Sequence, residues 1–257
     1  MISFDPKSTD VLNARRETVY IFLLGVFLAS MVMLNIVGIT KFIQIGPLSV
    51  AVGVLAYPLT FLCTDLVSEI YGRRRANWMV WVGLFLNLFV YFIMWLGDSL
   101  PSVALDKQPP WQTISLSMPI GLPNGSKASG STELFGLVYA CTSGAMLASM
   151  IAYLTAQFCD VYLFHFWKRL TKGKHLWIRN NGSTMVSQLV DSIAVISITF
   201  GAVFLRGEMP ISVLLSLFLG NYIFKFIAAL IDTIPMYLAV NFLSKYLQVN
   251  PEEEHSL

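Results

Sequence analysis

Long apolar stretches separated by short polar segments dominate the pattern of the chain. Each stretch is close to the roughly 20 residues that an α-helix needs to cross the hydrocarbon core of a membrane. The breaks between them include Gly46-Pro47 and the arginine run 73–75. The pattern therefore predicts an all-α membrane protein, a bundle of six transmembrane helices. The six stretches are 18–40, 42–64, 76–97, 134–159, 183–205 and 211–242, and the last two contain isolated charges.

The composition supports a membrane protein and excludes several other classes. Of the 257 residues, 56% are hydrophobic and 12% are charged, about half the charge of an average soluble domain. This argues against a soluble enzyme, a disordered chain and a secreted disulfide scaffold, and the net charge of +2 gives no reason to expect nucleic acid as a partner. We expect a cytoplasmic N-terminal segment 1–17, a transmembrane domain 18–246 with an outer loop 98–133, and an acidic cytoplasmic tail 247–257.

The distribution of cations predicts the orientation, because loops on the cytoplasmic side of a membrane are enriched in Lys and Arg. With the N terminus inside, twelve cations fall on the cytoplasmic side and four on the outer side, while Lys225 lies within a span. Both termini are therefore predicted to be cytoplasmic. The outer four are Lys41, Lys107, Lys127 and Arg206.

Catalytic and metal-binding motifs are absent from the sequence. It contains no G-x-x-x-x-G-K-[ST] phosphate loop, no G-x-S-x-G nucleophile elbow and no H-E-x-x-H zinc motif. The three cysteines, at 63, 141 and 159, lie in apolar stretches without metal-ligand spacing. We expect no enzyme activity, no metal and no cofactor.

Ionisable residues within the predicted spans are the informative ones. A charge at membrane depth costs several kcal/mol, so it faces a cavity or a partner and is a functional candidate by default. A purely structural network is the alternative, but five carboxylates face one intramembrane cation, Lys225. For Glu69, an ion pair with Arg73 four residues on explains the charge about as well as a site does. The carboxylates are Asp65, Glu69, Asp160, Asp191 and Asp232.

Helical spacing places polar residues on the same faces as these charges. Gln157 precedes Asp160 by three residues, as Gln188 precedes Asp191, and positions three or four apart share one side of a helix. Because consecutive helices run in opposite directions, the two stripes can converge. The predicted substrate-binding residues are Tyr57, Asp65, Gln157, Asp160, Gln188, Asp191, Asn221, Lys225 and Asp232.

Several runs in the same regions resemble a known family. They are YPLTFLCTDLVSEIYGRRRA at 57–76, AQFCDVYLFHFWK at 156–168, LWIRNNGST at 176–184 and SQLVDS at 187–192, followed by Lys225 and Asp232-Thr233. The sequence resembles the vitamin uptake transporter family, whose best-known members carry queuosine precursors across bacterial inner membranes. The resemblance implies a multi-pass inner-membrane transporter that imports 7-cyano-7-deazaguanine, 7-aminomethyl-7-deazaguanine or both.

The implied substrate suits the predicted residues. The N1–H and amino group of a deazaguanine can donate to one carboxylate, while glutamine amides meet the carbonyl and ring nitrogens. The partners implied are thus a small 7-deazapurine and the lipid bilayer, and a homo-oligomer stays open. The alternative is the substrate-binding membrane subunit of a multi-component ATP-driven vitamin or nucleobase importer, which would also lack a phosphate loop. An intramembrane enzyme and a structural anchor are weaker rivals.

Overall fold

The computed structural model describes residues 6–37, 40–45, 48–104, 107–122, 127–205, 207 and 210–250. The fold is mostly helical, as predicted, but it also contains two β-hairpins. The helices in the described part are α1 Pro6–Val37, α2 Tyr57–Tyr71, α3 Arg73–Ser99, α4 Leu134–Leu170, α5 Leu176–Leu205 and α6 Ile211–Leu247.

The second predicted span, 42–64, is wrong as one helix. Its first part is a hairpin in which β1 Phe42–Ile45 pairs antiparallel with β2 Leu48–Ala51, followed by a 3₁₀ turn, Val52–Ala56. Hydrophobicity alone does not separate a short apolar strand from a helix. Helix α2 begins at Tyr57, and Pro58 lies in its first turn, where the missing N–H costs no hydrogen bond. The Gly46-Pro47 break lies outside the described residues.

A single glycine joins α2 to α3. Gly72 has φ 81° and ψ 176°, a combination that is open essentially to glycine alone. The arginines 73–75, which the sequence pattern marked as a break, instead form the first turn of α3. The chain therefore changes direction directly after Tyr71.

Helix α2 is the central element of the bundle. It contacts α1, α3, α4 and α6, and its residues from Thr60 to Tyr71 are buried except Leu62. A helix that is buried all round lies inside a protein. Asp65 and Glu69 therefore lie in the protein interior and not at its outer surface.

The outer surface of the bundle is apolar. On α3, Trp78 and Phe85 are 60% and 72% exposed, and on α6, Ile234 and Phe242 are 67% and 66% exposed. Large apolar side chains turned outward are unusual for a water-soluble bundle and typical of one that meets lipid.

The structure contains three helices long and apolar enough to cross a membrane, in the described residues. They are Asp10–Val37, Arg73–Ser99 and Ile211–Leu247. A fourth candidate is α4, in which Leu134–Gly144 and Ser149–Leu170 meet at a bend of 48°. The structure thus supports a protein with three or four candidate spans, and the count of six remains a prediction.

The two ends of the bundle differ in character. At one, here called the basic end, lie the start of α3, the α4–α5 connection and the end of α6. There, Nε and Nη2 of Arg16 each donate to the Leu247 carbonyl at 3.2 Å, and Arg75 pairs with Glu17 at 2.5 Å. The described beginning and end of the chain are thus on the same side.

The opposite end, here called the hairpin end, carries both β-hairpins. Where the sequence predicted a solvated loop at 98–133, β3 Thr113–Gly121 pairs antiparallel with β4 Lys127–Glu133. Ser102 Oγ donates to a Glu133 carboxylate oxygen at 2.6 Å, and Gln108 donates to the other. The hydrogen bonds from Ser102 and Gln108 lower the pKa of Glu133.

Candidate functional site

A cavity of about 170 Å³ opens among all six helices in the half of the bundle nearer the hairpin end. Its walls combine methionine and aromatic side chains with a few amides and one ion pair. Walls that are mostly apolar, with a small number of placed polar groups, are typical of small-molecule sites. The lining residues are Met31, Leu34, Asn35, Gly53, Tyr57, Thr60, Phe61, Asn87, Met146, Ser149, Met150, Tyr153, Ala156, Gln157, Asp191, Val195, Asn221 and Lys225.

Three side chains from three helices form the polar centre of this cavity. Tyr57 of α2 donates its hydroxyl to Asp191 Oδ2 of α5 at 2.8 Å. Lys225 of α6 forms an ion pair with the same oxygen and lies 3.2 Å from the Tyr57 hydroxyl. The Lys225 ammonium also sits 4.4 Å from the centroid of the Tyr57 ring. The predicted residues Tyr57, Asp191 and Lys225 are thus brought together in one contact.

Two predicted amides lie beside this centre. Gln157 lines the cavity, and its Oε1 is buried without a hydrogen bond in the part of the chain described. Asn221 also lines the cavity and donates to Ser192 Oγ at 3.3 Å. Gln188 is buried but is not a lining residue. An amide oxygen without a protein partner can accept a hydrogen bond from a ligand.

Sequence reasoning missed one polar wall of the cavity. Asn35 of α1 donates to Asn87 Oδ1 of α3 at 2.6 Å, and both residues line the cavity. The signal was present, because Asn87 is an amide in the middle of an apolar stretch. Asn35 thus makes a helix-to-helix hydrogen bond and lines the cavity at the same time.

The predicted residues Asp65 and Asp160 do not line the cavity. They form a second cluster, here called the carboxyl pair, with exposures of 2% and 0%, and the two carboxyl groups are close enough to interact with each other. Thr184 donates to Asp65 Oδ2 at 3.3 Å, and Ser187 donates to Asp160 Oδ1 at 3.0 Å. Among the described residues, the other oxygen of each carboxyl has no hydrogen-bond donor.

Glu69 pairs with residues other than the predicted one. It meets Arg179 of α5 and Lys168 of α4, the latter at 3.4 Å. Arg73 instead lies 5.4 Å from the ring centroid of Tyr162. The predicted i+4 pair requires one continuous helix, and Gly72 ends α2 between the two residues. The Glu69–Arg73 interpretation is therefore wrong.

Three side-chain contacts between α2 and α5 form a ladder along the bundle. Its members are Tyr57 with Asp191 at the cavity, Asp65 with Thr184 in the middle, and Glu69 with Arg179 nearer the basic end. The helices run in opposite directions, so residue numbers rise on α2 as they fall on α5. At ~1.5 Å per residue, the three levels span roughly 18 Å along α2.

Asp232 is the predicted residue that stands apart. It is half-buried and does not line the cavity. Its neighbour Thr233 accepts a hydrogen bond from Asn181 at 2.7 Å. Asp232 therefore lies on the edge of the polar interior, close enough to Asp65 for an electrostatic interaction.

Residues 51–239, which include every predicted site residue, match the family model described as "Putative vitamin uptake transporter". A protein of Bacillus subtilis named "Probable queuosine precursor transporter" is 28% identical over 195 residues, 76% of this chain and 73% of that protein. No solved structure matches.

Two further relatives come from other bacteria. The "Queuosine precursor transporter" of Escherichia coli is 24% identical over 200 residues, which cover 76% of this chain and 75% of that protein. A "Probable queuosine precursor transporter" of Haemophilus influenzae is 25% identical over 200 residues, or 77% of this chain and 71% of that protein. All three relatives are named as transporters and none as an enzyme.

Proposed function

Since the chain belongs to the vitamin uptake transporter family, we propose that it imports queuosine precursors, 7-cyano-7-deazaguanine, 7-aminomethyl-7-deazaguanine or both. The observation that carries the proposal is the cavity whose polar centre is Tyr57, Asp191 and Lys225. The proposal is supported by three relatives whose names include "queuosine precursor transporter". The chain is a transporter and not an enzyme.

The cavity suits a small planar base. An apolar cavity of about 150 Å³ takes up benzene, and this one, at about 170 Å³, also has amide-lined walls. The ring faces of Tyr57 and Phe61, whose centroids are 5.2 Å apart, offer an aromatic wall for stacking.

Asp191 is the carboxylate that we assign to the guanine-like edge. Of the four carboxylates among the predicted binding residues, all of them described, only Asp191 lines this cavity; the others are Asp65, Asp160 and Asp232. One carboxylate can accept both the N1–H and the amino group of the base. Lys225 then faces the carbonyl or ring acceptors of the base, so the ion pair with Asp191 becomes a pair of substrate contacts.

The orientation that we propose has both termini in the cytoplasm and six crossings of the bacterial inner membrane. The contact between Arg16 and Leu247 supports it, because ends on one side require an even number of crossings. Reporter fusions after Arg75 and Gly173 should read cytoplasmic. A fusion near residue 125 should read external, and a cytoplasmic reading there would overturn the topology.

Substrate binding is tested with purified protein and both deazaguanines, measured by thermal stabilisation. Asp191→Asn removes a charge-assisted acceptor worth about 2–3 kcal/mol, so the Kd should rise roughly 30- to 150-fold. Because the variant also leaves Lys225 without its buried partner, binding is measured as the shift from the variant's own ligand-free unfolding temperature. Asp98→Asn, a change at an exposed carboxylate, is the matched control. An unchanged Kd in Asp191→Asn would remove that residue from the site.

Uptake distinguishes the proposal from the ATP-driven alternative. Liposomes that contain this chain alone should take up the precursor. Strict dependence on an added ATPase module would instead identify a subunit of a multi-component importer. In a strain that cannot make the precursor, queuosine-modified tRNA should return only when the chain is present and the precursor is supplied.

A further inference from the structure

The carboxyl pair, Asp65 and Asp160, has no role in the cavity contacts described above. It lies between α2, α4 and α5, one level of the ladder nearer the basic end than the cavity. Both side chains are essentially fully buried, which is costly for a charge unless a partner compensates for it. A pair of this kind therefore requires an explanation of its own.

No salt bridge among the described residues joins the pair to a cation. Among the described residues, the buried ion pairs link Lys225 to Asp191 and join Lys168 and Arg179 to Glu69. Within the part of the chain that the structure describes, Asp65 and Asp160 receive hydrogen bonds from hydroxyl groups of α5. Two carboxyl groups that lie side by side and out of water do not both ionise, so the pair carries a single negative charge, which one further proton neutralises.

In the described part of the chain, the titratable groups that interact with the pair are not cations. On α6, Asp232, a further carboxyl, interacts with Asp65. The Cys159 thiol of α4 and the Tyr57 phenol of α2 interact with Asp160. Helix α5 presents the hydroxyls of Thr184 and Ser187, and Glu69 on α2 is held by its own cations.

We propose that the carboxyl pair is the binding site of a proton that is transported together with the substrate. This inference rests on the proposed import function and adds its source of energy. A carboxyl oxygen gains a proton from the outer solution and later loses it to the cytoplasm, and no other bond is made or broken. Inward proton flow down its gradient then drives accumulation of the base.

The carboxyl pair lies between the cavity and the ion pairs of Glu69, which are nearer the basic end. Asp65 lies eight residues from Tyr57 in the cavity and four from Glu69, on one side of α2. On α5, Ser187 is four residues from Asp191. Substrate at Asp191 and a proton at Asp65 and Asp160 therefore act on the same two helices. Protonation removes the negative charge from the middle of the ladder, so the helices can rearrange without moving an uncompensated charge.

The decisive measurement uses the wild-type chain in liposomes that contain a pH-sensitive dye. Uptake of 7-cyano-7-deazaguanine should acidify the lumen, and a pH gradient with an alkaline lumen should drive accumulation. A sodium gradient at equal pH on both sides should drive none. Substrate uptake without proton entry, or accumulation driven by sodium, would overturn the proposal.

Variants then assign the proton to the pair. Asp65→Asn should lose accumulation driven by the pH gradient but keep precursor binding in the thermal assay and exchange of labelled for unlabelled precursor. Asp65→Glu should restore part of the accumulation, and Asp98→Asn should behave as wild type. Full accumulation in Asp65→Asn would refute the assignment, and if that variant does not fold, Asp160→Asn takes its place.

These readouts separate the two proposals. Wild-type protein that binds and moves the precursor without proton entry would leave the proposed function standing and refute the coupling site. Wild-type protein that binds neither deazaguanine would refute the proposed function itself. In that case the dye would report no substrate-dependent change with these compounds.

Discussion

Asp65 and Glu69 lie one turn apart on the same helix, are equally buried, and have opposite surroundings. Glu69 has two cations, Lys168 and Arg179, whereas Asp65 has a second carboxyl group and a threonine hydroxyl. Burial and sequence spacing are the same for both, so neither property predicts the role. The partners that α4 and α5 bring give Glu69 two ion pairs, and they leave Asp65 in the pair to which we assign proton binding.

The largest change in stability is expected for Glu69→Gln. Removal of one partner from a buried ion pair leaves the remaining charge uncompensated and costs about 3–5 kcal/mol. Thermal unfolding in detergent should therefore occur at a markedly lower temperature. The control is Glu17→Gln, whose partly exposed pair with Arg75 is of a kind worth about 0–1 kcal/mol. Equal effects of the two variants would contradict a structural role for Glu69.

A second prediction concerns Gly72, the residue between α2 and α3 that separates Glu69 from Arg73. Gly72→Ala places a side chain at φ 81°, where a non-glycine residue costs of order 1–3 kcal/mol. The same thermal assay should show a smaller loss of stability than for Glu69→Gln. Gly25→Ala is the control, because Gly25 is helical and an added Cβ there meets no atom within 4 Å. A Gly72→Ala variant as stable as this control would show that the α2–α3 connection does not require the glycine conformation.

The smallest effect on stability is expected for Asp65→Asn. Replacing a buried acidic group that has no cation partner with its neutral isostere removes a desolvation cost, so the unfolding temperature should stay within a few degrees of wild type or rise. The result is informative beside Glu69→Gln, because the two positions are one turn apart. A loss as large as that of Glu69→Gln would show that Asp65 carries a compensated charge.

The sequence predicted the polar residues better than it predicted their partners. Asp191, Lys225 and Gln157 were identifiable because charged and amide groups are rare inside apolar stretches, and all three line the cavity. Local spacing could not identify the contact of Glu69 with Arg179, because 110 residues separate them. The same limit explains why Asn87 was missed, since its importance depends on Asn35 in another helix.

Helical regions were predicted well where they were long, and poorly where they were short. The predicted spans 76–97 and 211–242 lie within α3 and α6. The stretch 42–64 failed because a four-residue apolar strand and a helical turn have the same composition. Strand β3 alternates polar and apolar residues, with Ile114, Leu116, Met118 and Ile120 at every second position, which is a strand signal that the prediction of a loop at 98–133 overlooked. Its partner β4, KASGSTE, has no such pattern, so the pairing of the two is visible only in the structure.

The ladder between α2 and α5 also has a consequence for how the chain is synthesised and inserted. Helix α2 has 15 residues, about 22 Å in length, which is shorter than a hydrocarbon core of about 30 Å. It therefore enters the membrane together with α1 and α3 instead of as an independent unit. Asp65 and Glu69 emerge from the ribosome long before Thr184 and Arg179, so the first half of the protein contains acidic groups whose partners do not yet exist. We expect nascent chains truncated before α5 to be recognised and degraded as unfinished membrane proteins.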